Sequence, residues 1–190
     1  MKKLLVIGLV TVVLFSLSSR AQALILKDFE NIPETYLYNF GGQNLGTYYS
    51  DLEFSPHVIV GDRARGGYNS EKFPPHSGNA VIGAINFDYI RVDFVGFTSS
   101  YVEAWYSTEF FIDMYMKGYD IDDNLLVSTF APGTFATSSL ISISAEDIAY
   151  VIFHDSDSGN MFTLDDFAYV PEPATMALLA MGGLVCRERK

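Results

Sequence analysis

Cysteine is nearly absent from this chain: the only one, Cys186, lies close to the C-terminus, so no disulfide braces the body of the protein. Stability has to come from an apolar core, alone or with a bound ion. Basic residues are scarce as well, 12 Lys and Arg against 23 Asp and Glu. Half of them (Lys2, Lys3, Arg20, Arg187, Arg189 and Lys190) sit at the two ends, so residues 24–170 carry six basic and 21 acidic side chains, a net of −15. Such a surface repels nucleic acid and anionic membranes and suits divalent cations, neutral glycans or plain solubility. Also missing are Gly-x-Ser-x-Gly, His-Glu-x-x-His and a phosphate-cradling glycine loop. The histidines His57, His76 and His154 are scattered. Paired carboxylates for glycoside hydrolysis are a spatial arrangement, and spacing along the chain does not exclude them. No apolar run reaches the roughly 20 residues a bilayer-spanning helix needs.

What is present begins with an export signal. Met1-Lys2-Lys3 precedes an apolar run from Leu4 to Leu17, and Ala21-Gln22-Ala23 supplies the small-x-small triplet of a cleavage site. The expectation is a helical signal peptide over residues 1–23, handled by the Sec machinery and cut by signal peptidase after Ala23. A retained membrane anchor would need a longer run. Residues 24–170 then have the size of one domain that buries its own core.

That middle segment reads as strands and turns. In "YIRVDFVGF" (Tyr89 to Phe97), Ile90, Val92 and Phe94 alternate with Arg91 and Asp93, and "SLISIS" (Ser139 to Ser144) alternates strictly. In "EFFIDMYMKGYD" (Glu109 to Asp120), Phe111, Asp113, Tyr115 and Lys117 oppose Phe110, Ile112, Met114 and Met116. Turn signals recur at Gly41-Gly42, Gly61-Asp62, Gly66-Gly67, Pro74-Pro75, Pro132-Gly133 and Ser158-Gly159-Asn160. Only Ser144 to Ile148 hints at a helical turn, with Ser144 as its cap. The prediction is all-β: an antiparallel β-sandwich or barrel of short strands. "YDIDDNLL" (Tyr119 to Leu126) reads as a hairpin turn, because Leu125 stands where a calcium loop needs glycine.

The chain ends in "PEPATMALLAMGGLVCRERK": Pro171-Glu172-Pro173, an apolar stretch from Met176 to Cys186, and the basic Arg187, Arg189 and Lys190 around Glu188. The prolines hold the chain extended, the Ala, Leu and Met residues favour a helix, and the positive end stays on the cytoplasmic side. This ending resembles the PEP-CTERM sorting signal, a tail that also carries the label of an ice-binding protein C-terminal domain. That label covers the tail alone, and residues 24–170 lack the repeated Thr pattern of an ice-binding face. The resemblance implies recognition of Pro171-Glu172-Pro173 by an exosortase, with residues 171–190 removed after transient inner-membrane anchoring through a transmembrane helix. It further implies the cell surface or the extracellular polysaccharide matrix of a Gram-negative-type bacterium. The apolar stretch is shorter than a comfortable span.

Two acidic motifs lie at opposite ends of the domain, "LKDFEN" (Leu26 to Asn31) and "FTLDDFAYV" (Phe162 to Val170). In the second, Phe162 and Leu164 share one phase and Phe167 and Tyr169 the other, so a bulge is expected at Asp165-Asp166. With "PHSGNAV" (Pro75 to Val81), these pieces resemble calcium-stabilised jelly rolls of the galactose-binding-like and carbohydrate-binding-module type. The resemblance implies a jelly roll with Glu30, Ser77, Asp165 and Asp166 around a structural calcium ion, a hard cation that takes 6–8 oxygen ligands. For glycan contact the candidates are Tyr48, Tyr49, Tyr68 and Trp105, since aromatic faces stack on the C–H faces of sugars. The leading expectation is a noncatalytic module binding carbohydrate or exopolysaccharide. The alternatives are a structural matrix component with calcium-dependent association and, third, a glycan hydrolase.

Overall fold

A computed structural model describes residues 23–37, 43–65, 68, 70–84, 89–108, 111–156 and 162–172. Eleven strands run through them: β1 (Ile25–Lys27), β2 (Leu52–Phe54), β3 (Val58–Asp62), β4 (Ala80–Ala84), β5 (Tyr89–Phe94), β6 (Ser99–Thr108), β7 (Met114–Tyr119), β8 (Leu125–Ala131), β9 (Ser139–Ile148), β10 (Tyr150–Asp155) and β11 (Phe162–Pro171). A 3-10 turn at Glu34–Tyr36 is the one helical element among the described residues. One sheet has the order β3-β4-β11-β6-β9 with β1 also paired to β11, and the other the order β2-β5-β10-β7-β8. All pairings between these strands are antiparallel. The fold is an antiparallel two-sheet β-sandwich of jelly-roll type, as expected. Leu24–Pro171 form one compact unit.

The alternation in the sequence decides which face of each strand is buried. On β5, Ile90, Val92 and Phe94 turn inward while Tyr89, Arg91 and Asp93 turn out. On β7, Met114, Met116 and Gly118 are buried against Tyr115, Lys117 and Tyr119 outside. Between the sheets Phe29, Phe54, Phe94, Phe153, Phe167 and Tyr169 interlock edge to face and offset, with centroids 5.2–6.5 Å apart. Burying each such ring contributes about 2–3 kcal/mol. This core replaces the missing disulfides.

The phase slip in β11 is a change of partner. Its first part pairs with β4 (Thr163 with Gly83, Leu164 with Ile82), and its last part pairs with β1 (Phe167 with Lys27, Tyr169 with Ile25). Between them the register with β6 shifts from Asp165 to Ala168, and Asp166 adopts φ 44°. The extra residue keeps Asp166 out of the core and turns Phe167 into it. The helical turn expected at Ser144–Ile148 does not form. β9 runs through it, because the inward Ile141, Ile143 and Ile148 hold that stretch on the sheet and Asp147, at φ 61°, absorbs the irregularity.

Among the described residues no helix is long and apolar enough to cross a membrane. The helices expected for the signal, with Ala21, and for the tail, with Pro173, Arg187, Arg189 and Lys190, fall outside the described residues. Ala23 lies exposed ahead of β1, and Pro171 and Glu172 close the described chain.

Candidate functional site

The four residues proposed for a cation meet at the turn before β4, a clasp in which Glu30 reaches the turn from the segment after β1, Asp165 and Asp166 reach it from β11, and Ser77 lies within it. Phe29, fully buried at φ 59°, directs Glu30 toward the turn that leads into β4. Glu30 Oε1 accepts the amides of Asn79 and Ala80, both at 2.7 Å. Asp165 Oδ2 accepts the amides of His76 and Ser77 at 2.7 and 2.9 Å, and its Oδ1 accepts the amide of Asp166 at 2.7 Å. Asp166 is held by Ser77 Oγ at 2.8 Å and by His76 Nδ1 at 2.7 Å. The His76 ring lies flat on Trp105, 3.5 Å between centroids and 7° from parallel.

Gly78 makes the turn possible. It sits at φ +53°, and a Cβ there would fall 2.2 Å from Glu30 Oε1. The Asp165 carboxyl is pushed up to about 7, chiefly by burial and further by the neighbouring Asp166 charge, while the amides of Ser77, Asp166 and His76 pull the other way. The oxygen-bearing side chains are of the kind a hard cation takes, and in this arrangement backbone N–H groups already satisfy Glu30 and Asp165. Among the described residues no group of three His, Cys, Asp or Glu side chains converges as a metal site.

The tyrosines and tryptophan proposed for glycan contact each pack against a neighbouring group. Tyr48 packs edge-on against Tyr36 and Tyr49, at 5.2 and 5.0 Å, and Tyr49 in turn packs against Phe29. The Tyr68 ring covers Gly61, where a Cβ would meet its Cδ1 at 2.6 Å. Trp105 is stacked under His76.

A row of rings lies on the outer face of the five-stranded sheet. Strand register places His154 opposite Tyr89 on one side and Tyr115 on the other, with Tyr115 opposite Phe130. Four rings from β5, β10, β7 and β8 therefore make one cross-strand row. Tyr115 and His154 stack with centroids 5.1 Å apart, and Tyr115 and Phe130 follow at 5.9 Å. Tyr89 and Phe130, at the ends, are 40% and 64% exposed. His154 Nδ1 donates to the Asp155 carbonyl at 2.9 Å, which fixes the ring. His57 supports Tyr89 from below, edge-on at 5.0 Å, and its Nε2 lies 2.7 Å from the Tyr89 carbonyl.

Beside this row runs a second, Arg91, Ile152, Lys117 and Ser128, and then a third containing Asp93, Tyr150 and Tyr119. Tyr119 and Tyr150 stack at 4.9 Å. Arg91 covers the Tyr150 ring at 3.7 Å and pairs with Asp93 at 2.6 Å. The outward phase of "FFIDMYMKGYD" was visible in the sequence, but its alignment with Tyr89, Phe130 and His154 needs the strand order.

Residues 170–190 match the PEP-CTERM protein-sorting motif. The motif implies exosortase processing and indicates export and sorting to the cell surface in Gram-negative bacteria. No curated protein matches the chain. Among solved structures, the fold is similar to TmCBM61 in complex with β-1,4-galactotriose, at 14% identity over 75% of this chain and 99% of that one, TM-score 0.42. It is also similar to the CBM22-1 xylan-binding domain from Paenibacillus barcinonensis Xyn10C, at 13% identity over 82% and 99%, TM-score 0.46. A third similar structure is the K2 cleaved adhesin domain of Lys-gingipain, at 12% identity over 78% and 99%, TM-score 0.48. At these identities the likeness is one of fold.

Proposed function

We propose that the protein is a noncatalytic carbohydrate-binding module displayed outside the cell, and that the outer face of the five-stranded sheet is its binding surface. The observation that carries this reading is the ring row Tyr89, His154, Tyr115 and Phe130 on four adjacent strands. Three strand spacings of about 4.8 Å make a platform roughly 14 Å long. Its rings are fixed by stacking and by backbone contacts, so little side-chain freedom is lost when a sugar chain lies across them. The partner is an extracellular polysaccharide. Binding of the purified full chain to arrayed glycans tests this. Loss of binding in Tyr115→Ala and Phe130→Ala, with folding intact, is the expected result. A folded protein that retains no glycan but self-associates on addition of calcium would replace this reading with that of a structural matrix component.

A structural calcium ion at the clasp is a second proposal. It is supported by two adjacent carboxylates, Asp165 and Asp166, with Ser77 Oγ on Asp166 and with Glu30 on the same turn. An ion held there would supply positive charge between the closing strand and the turn before β4, and the chain's own part is to present the oxygens.

A further inference from the structure

The charge of the domain as a whole points to neutral glycans, but the placement of its few cations points elsewhere. Of the six basic side chains between residues 24 and 170, Arg91 and Lys117 flank Ile152 on one cross-strand line, directly beside the aromatic row. Arg91 is engaged by Asp93 and by the Tyr150 ring. Lys117 is half-buried between Ile152 and Ser128, and among the described residues no carboxylate lies within ion-pair distance of it.

Tyr115 and Lys117 are alternate residues on one face of β7, about 6.7 Å apart along the strand, which a lysine side chain spans. A sugar chain lying on Tyr115 and His154 therefore brings its edge over the Lys117 ammonium. A neutral sugar edge offers that ammonium only hydroxyl oxygens in exchange for water, close to an even exchange, whereas a carboxylate at the same place adds an opposite charge and a charge-assisted hydrogen bond. We propose that the ligand is an anionic polysaccharide containing uronic acid residues, with one sugar ring lying across the outward edges of the Tyr115–His154 pair and its carboxylate on Lys117. This inference rests on the carbohydrate-binding reading of the same face. The acidic remainder of the domain does not forbid it. At physiological ionic strength the screening length is about 8 Å, so remote carboxylates are largely screened while a contacting pair is not.

The test is an array of uronate-containing oligosaccharides beside the same oligosaccharides with their carboxyls reduced to alcohols, probed with the purified full chain. Expected is at least about ten-fold tighter binding of the acidic members, lost in Lys117→Gln and restored in Lys117→Arg, with the reduced members unaffected by either change. Circular dichroism of each variant verifies folding. Equal binding of both forms, or an equal effect of Lys117→Gln on both, overturns the inference and leaves the carbohydrate reading in place. Binding of neither form by the folded protein overturns both.

Discussion

Tyr115 and His154 lie ring on ring, planes 7° from parallel, although they come from β7 and β10. A face-to-face pair held by strand register is a rigid element of the outer face. Replacing Tyr115 with alanine is expected to weaken glycan binding by about ten-fold or more, and Phe130→Ala by a similar factor. Titration calorimetry with the best array ligand measures both. Tyr48→Ala and Trp105→Phe, away from the row, should leave affinity within about two-fold.

A second expectation concerns Gly78, whose missing Cβ makes room for Glu30 Oε1. Gly78→Ala should cost about 2 kcal/mol or more, through a left-handed φ imposed on alanine and the displacement of Glu30 from two amides. Urea unfolding gives the value. Adding Glu30→Ala removes the collision, so the double variant should be less destabilised than the two single losses summed.

Much of the clasp was legible before folding, and the reason is local. Glu30 stands just after the first strand and Asp165-Asp166 in the last, and the phase slip between Leu164 and Phe167 marks the bulge without any knowledge of partners. The ring row was not legible, because Tyr89, Tyr115, Phe130 and His154 become neighbours only when β5, β10, β7 and β8 take their order and register. Tyr48 and Tyr49 are adjacent in the chain, and in the fold they pack on each other, with Tyr49 against Phe29. The strand through Ser144 to Ile148 was misread for a related reason: its polar residues favour a cap locally, and pairing with β6 overrides them.

Acid stability should depend on Asp51. Burial alone would raise its carboxyl, but hydrogen bonds from Lys27 and from the Tyr169 hydroxyl outweigh this and hold it below the ordinary value of 3.8. A carboxyl lowered in the folded state contributes stability above 3.8 that is lost as the pH falls through the folded value. Asp51→Asn should therefore be less stable at neutral pH and show a shallower acid limb in urea midpoints. Asp165 acts in the opposite sense, its raised carboxyl costing stability as the pH rises toward about 7, and comparison of the two proteins cancels that contribution.

If calcium occupies the clasp, the melting temperature should rise by several degrees with calcium over chelator and grow with its concentration, as mass action requires. Asp165→Asn and Asp166→Asn should each abolish the increment. An unchanged melting temperature in wild type would leave the amide hydrogen bonds as the whole of the clasp.

The place of β11 in its sheet has a mechanical consequence. Its end at Pro171 leads straight into the sorting motif, and it is flanked by β6 along its length and by β4 and then β1 on the other side. If a polymer is held on the opposite sheet, a pull on the chain beyond Pro171 would run along the strand axis. It loads many antiparallel hydrogen bonds together in shear, so they do not peel open one at a time. A strand paired on both sides would resist such a pull better than an edge strand, and its rate of unfolding under load would depend on the clasp and the aromatic core that hold β11 in place.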